Sequence, residues 1–76
     1  MPHPKIEEAQ RAAQDNGGTS WNDGDTLPPG GVVVRFNLGP DDVIGTYAFD
    51  SKGDAMTAEM AISEILGACN REMLVE

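Results

Sequence analysis

Two short apolar runs around one turn limit the fold of this chain more than anything else in it. Val32-Val33-Val34-Arg35-Phe36-Asn37-Leu38 leads into Gly39-Pro40-Asp41-Asp42, and Val43-Ile44-Gly45-Thr46-Tyr47-Ala48-Phe49 leads out. β-Branched and aromatic residues in runs of this length, separated by turn formers, read as an antiparallel β-hairpin over 32–50. With Gly39 to Asp42 as the connection, Leu38 faces Val43, Phe36 faces Gly45, Val34 faces Tyr47 and Val32 faces Phe49. Strand side chains alternate, so these eight share one nearly all-apolar face that has to be covered. Gly45 leaves room for the Phe36 ring to lie across its backbone. The other face sets Val33, Arg35 and Asn37 against Ala48, Thr46 and Ile44. That mixture suits a side that meets water or a second layer.

The cover comes from 51–76, which reads as one helix. Ser51-Lys52-Gly53-Asp54 has the form of a capping box, and a start at Asp54 is the alternative. At 100° per residue Ala55, Ala58, Ile62, Ile65, Leu66, Cys69 and Met73 form one stripe. Arg71 sits in the last turns, where the helix dipole favours a cation. Gly67 in a helix interior costs about 1 kcal/mol against alanine and asks for a reason. A weaker second stripe of Met56, Met60, Gly67 and Leu74 offers one. Either an N-terminal helix packs there with Gly67 allowing close approach, or methionines and glycine meet a partner or a second copy.

The N-terminal 1–15 carries a short helix from Pro4 to Asp15, with Pro4 at its first position, Glu7 and Glu8 in its first turn, and Gly17 beyond Asn16 as a stop. Its thin stripe of Ile6, Ala9, Ala12 and Ala13 cannot hold it as an isolated helix. Residues 16–31 form a long loop rich in turn residues, in which Thr19 to Trp21 is a candidate edge strand. Trp21 and Leu27 are its large apolar residues. Trp21 either pins the loop to the core or serves a partner as an anchor. The fold class is therefore α+β: an N-terminal helix, a long loop, and a two- or three-stranded antiparallel sheet packed under one C-terminal helix.

At 76 residues this is one small domain with a modest core. A disulfide within the chain is excluded, because Cys69 is the sole cysteine. With no apolar run near the start and none of the roughly 18 residues a membrane span needs, a soluble cytoplasmic protein is expected. Thirteen acidic against five basic residues give a net charge of −8. That balance disfavours direct nucleic-acid binding and steers the protein toward a basic surface.

Residues for chemistry are sparse. Asn22-Asp23-Gly24-Asp25-Thr26 opens like a calcium loop but lacks the closing glutamate. Asp41 and Asp42 suit a turn, and without a pocket they are no acid/base pair. His3 has no ligand or base partner in the pattern. Cys69 lies on the buried stripe. No glycine-rich segment has phosphate-cradling spacing. No enzyme, metal or cofactor is expected.

Val32-Val33-Val34-Arg35-Phe36, Thr46-Tyr47-Ala48-Phe49 and Asp54-Ala55-Met56-Thr57-Ala58-Glu59-Met60-Ala61 together give a format of a few strands under one alanine-rich helix. In that format, over about its C-terminal two-thirds, the chain resembles the small acidic anti-CRISPR proteins of phages. The resemblance implies stoichiometric binding to a Cas protein that blocks DNA access or nuclease recruitment. With Thr19 to Trp21 as a strand, the plan is also similar to the α-β-β-β-α order of double-stranded RNA-binding domains. The acidic balance and the lack of lysines at the helix start speak against RNA binding.

The expected function is a non-enzymatic inhibitor of a basic, nucleic-acid-handling complex in the host cytoplasm, with contacts at Asp41, Asp42, Asp50, Glu59, Glu64 and Trp21. The alternative is a homodimeric assembly module that associates through Met56, Met60 and Gly67 or through a hairpin edge.

Overall fold

A computed structural model of the chain describes residues 5–22, 24–27, 29–38, 43–67 and 69–74. In chain order the elements are α1 (Ile6–Asp15), β1 (Thr19–Ser20), β2 (Val32–Asn37), β3 (Val43–Phe49), α2 (Lys52–Leu66) and β4 (Asn70–Leu74). The strands form one antiparallel sheet in the order β1-β3-β2-β4. Both helices pack on one face of it, α1 against α2 and β3, and α2 against β2 and β3. The fold is α+β as the patterning predicts, with four strands rather than two or three.

The hairpin register holds over most of its length: Val32 pairs with Phe49, Val34 with Tyr47 and Phe36 with Gly45. Phe36 lies at the centre of the core, its ring 6.3 Å from both Tyr47 and Phe49 and edge-on to Phe49. The ring that leans over Gly45 is that of Tyr47, with Cε2 only 2.7 Å from where a β-carbon would stand. Near the turn the register departs from the expected one. A β-bulge between Phe36 and Asn37 pairs Asn37 with Val43 and leaves Ile44 as the extra residue. A bulge re-aims side chains. Ile44 joins the helix-side core at 5% exposure, while Val43 turns outward at 56%.

The helix expected to run to the C-terminus stops at Leu66. Gly67 adopts a left-handed φ of 81°, and its N–H donates to the Ser63 carbonyl at 2.7 Å. Only glycine takes that conformation without a β-carbon penalty, and it is a common way for a helix to end. The reason for Gly67 is thus chain reversal rather than close helix packing. The chain returns as β4 along the free side of β2, with Met73 beside Val34 and Arg71 beside Phe36. Cys69 and Met73 still pack against the core, from a loop and a strand instead of a helix stripe. β2 becomes an interior strand, and Val32, Val33 and Val34 are all buried.

Ala55, Ala58 and Ile62 of α2 and Ala9 and Ala13 of α1 are fully buried. α1 fits beside α2 through these alanines and fixes the β3 edge, where Gln10 Nε2 donates to the Ile44 carbonyl at 2.9 Å. Ser51 caps α2 as expected, its Oγ accepting the Asp54 N–H, which is the Ser51 half of the capping box.

Candidate functional site

The loop after α1 enters the sheet at β1, where Thr19 pairs with Ala48 and Ser20 with Tyr47. The Trp21 N–H continues the ladder by donating to the Thr46 carbonyl at 3.1 Å. Antiparallel partners share a face, so Trp21 stands on the side away from the helices with Thr46, Ala48 and Val33. Val33 and Ala48 are buried there although they lie outside the helix-side core. Trp21 itself is half-buried. Its indole Nε1 is shut off from water and has no hydrogen-bond partner. Such an orphan donor is costly, on the order of 1–3 kcal/mol.

Beside Trp21 opens a cleft of about 450 Å³. Its apolar part comes from Ala48 and Phe49 at the end of β3. Its polar part comes from Thr19, Ser20, Thr26, Asp25 and Asp50. The turn from Asn22 holds Asp25 in place: the carboxylate accepts the Asn22 N–H at 2.8 Å, and the Asp25 N–H donates to the Asn22 carbonyl at 3.0 Å. Among the described residues no basic side chain lines the cleft. The volume lies in the range of small-ligand pockets, and the lining suits a cationic group rich in hydrogen-bond donors.

Of the partner contacts expected from the sequence, the fold brings Trp21 and Asp50 into this one cleft and adds Asp25, there read only as part of a calcium-loop opening. Glu59 is not a free surface charge. It lies on α2 against β4 and pairs with Arg71 at 2.7 Å, both side chains 27% exposed. Glu64 is exposed on α2, roughly 18 Å further along the helix axis than Lys52. Asp41 and Asp42 lie outside the described residues. Met56 and Met60 are 44% and 67% exposed on the outer side of α2. They do not receive α1. Gly67 lies beyond the helix end, with nothing within 4 Å of a built β-carbon, so it does not form part of a packing stripe. β4 runs along the outer edge of β2, and β1 covers the β3 edge at Tyr47 and Ala48.

Asp25 was visible in the sequence only within an incomplete calcium-loop opening, because its sharing a cleft with Asp50 depends on how the loop folds back beside β3. Cys69 is half-buried. Its thiol is pushed up by burial and by the nearby Glu59 carboxylate, against a smaller opposite effect of a hydrogen bond with the Asn37 backbone. A raised thiol is a poor nucleophile at neutral pH. Among the described residues no three His, Cys, Asp or Glu side chains are placed to hold a metal, and no helix is long and apolar enough to cross a membrane.

Set beside known proteins, the chain matches no family model, no curated protein and no solved structure.

Proposed function

We propose that the chain is a non-enzymatic inhibitor, anti-CRISPR-like, that occupies a basic surface of a nucleic-acid-handling protein complex and blocks nucleic-acid access or effector recruitment there. The observation that carries this reading is the cleft lined by Trp21, Asp25 and Asp50, with no basic side chain among the described lining residues, on a chain of net charge −8. The field of such a surface attracts a cationic partner and repels nucleic acid from the same place. The aromatic ring adds a fixed apolar contact to an otherwise salt-sensitive attraction.

The test is DNA binding by guide-loaded Cas effector complexes, with and without the protein, in low and high salt. The reading expects loss of DNA binding at a one-to-one ratio in low salt, relief in high salt, and relief when Asp25 and Asp50 are both changed to asparagine. DNA binding that is unchanged in low salt for every complex tried overturns it.

The exposure of Met56 and Met60 favours a second reading, a homodimeric module joined through the outer side of α2. Light scattering separates the two. A dimer split by Met60→Asp supports the module, and a concentration-independent monomer removes it.

A further inference from the structure

We propose that the cleft takes an arginine side chain, presented by an extended segment of the partner, with its guanidinium against the Trp21 indole and paired with Asp25 and Asp50. This rests on the partner-binding reading above and names the group that reading leaves open.

The lining selects the ligand class. Two carboxylates, with no basic side chain among the described lining residues, repel phosphate and carboxylate ligands. The hydroxyls of Thr19, Ser20 and Thr26 are acceptors that an apolar ligand would leave unmatched. One Asp25 carboxylate oxygen already accepts the Asn22 N–H, so the site is poor for a bare metal ion but leaves an oxygen for a directional donor. A guanidinium fits each of these conditions. It is planar, weakly hydrated and carries five N–H donors, enough for two carboxylates and neighbouring hydroxyls. It also stacks on aromatic faces, and tryptophan is the best of them. Lysine offers a point charge and three donors, without the flat surface.

The indole lines the cleft and offers a cation an extended electron-rich ring. Its Nε1 is shut off from water and takes no part in the contact.

The geometry also explains why the arginine belongs to an extended segment. The cleft is larger than one side chain needs, and it opens beside β1, the edge strand of the sheet. The Trp21 N–H points into the sheet toward Thr46. Strand backbone groups alternate in direction, so those of Ser20 point the other way, off the edge. An incoming strand meets them there while its arginine turns into the cleft.

Trp21 is the only tryptophan, so its emission reports on the cleft alone. The experiment titrates the full chain with a blocked five-residue peptide carrying one central arginine, and with the same peptide carrying lysine or citrulline. Expected are a saturable emission change with the arginine peptide, clearly weaker binding with lysine, and none with neutral citrulline. Asp25→Asn and Asp50→Asn should each weaken binding about tenfold with an unchanged circular dichroism spectrum. Trp21→Phe, followed by calorimetry, should keep or raise the melting temperature and still lose binding. No saturable response to the arginine peptide, an equal response to citrulline, or wild-type affinity in both asparagine variants overturns the proposal. Salt-sensitive inhibition of a Cas complex without peptide binding leaves the broader function standing and removes this inference. Peptide binding without any such inhibition does the reverse.

Discussion

Glu59→Gln should weaken the hold of α2 on the C-terminal strand and leave the cleft untouched. Arg71 belongs to β4 and Glu59 to α2, so their ion pair ties the last strand to the helix that precedes it. The 2.7 Å separation and 27% exposure of both side chains place the pair between two limits. Exposed pairs contribute about 0.2–1 kcal/mol, and breaking a fully buried pair costs about 3–5 kcal/mol. About 1–2 kcal/mol is expected here, because the partly covered Arg71 would lose its partner and keep its desolvation cost. In a domain this small that corresponds to a fall in melting temperature of roughly 5–15 °C. The assay is thermal unfolding in a double-mutant cycle with Arg71→Gln. The internal control is Arg35 with Glu72, a looser cross-strand pair at 3.6 Å and 42% and 53% exposure, for which coupling should stay below about 1 kcal/mol. Coupling between Glu59 and Arg71 no larger than in the control would refute the reasoning. A second readout comes from Cys69, whose thiol the Glu59 carboxylate helps to push up. Neutralising Glu59 should therefore increase the thiolate fraction and speed the reaction of Cys69 with a thiol reagent.

Gly67→Ala separates two helix ends by sign: in a helix interior it would stabilise by about 1 kcal/mol, whereas at the observed φ of 81° it should destabilise by about 1–2 kcal/mol in denaturant titration. Gly18→Ala should cost about 1–3 kcal/mol in the same titration, since its β-carbon would stand 2.7 Å from the Ala13 carbonyl oxygen and 2.9 Å from the Phe49 ring. Stability should also fall in alkali. Burial raises Tyr47 above its ordinary value of 10.0, and burial with Glu59 raises Cys69 above 9.0. The unfolded chain then releases these protons first, so unfolding becomes easier as pH climbs through the ordinary values toward the raised ones. Melting temperatures measured from pH 7 to 11 check the direction, and a rise above pH 9 would contradict it.

The hairpin was legible because two constraints agreed: period-two alternation and an apolar face that only one register leaves continuous. The bulge was not, since moving Ile44 into the core depends on the space left under α1, where Gln10 holds the Ile44 carbonyl. β4 was hidden by a coincidence of periods. Ile62, Ile65, Leu66, Cys69 and Met73 fit a helix stripe, and Met73 equally fits the inward face of a strand. Gly67 was the signal that separates the two, but a mid-pattern glycine reads as a cost until its φ is known. The same misreading made Glu59 look like free surface, because its partner Arg71 was placed on the same helix instead of a returning strand. Trp21 and Asp50 were legible as separate residues. Their meeting with Asp25 was not, because it depends on how a loop without periodicity folds back across the sheet.

The most direct test sets cleft charge against total charge. Two double variants, Asp25→Asn with Asp50→Asn and Glu8→Gln with Glu64→Gln, remove the same two charges, from the cleft and from the helices respectively. The arginine peptide is titrated against both, with Trp21 emission as the signal. If the cleft is the binding site, the first variant loses about a hundredfold in affinity while the second stays within about twofold of the unaltered protein. Equal losses in the two variants would show that bulk charge, not the cleft, attracts the ligand, and would contradict the account.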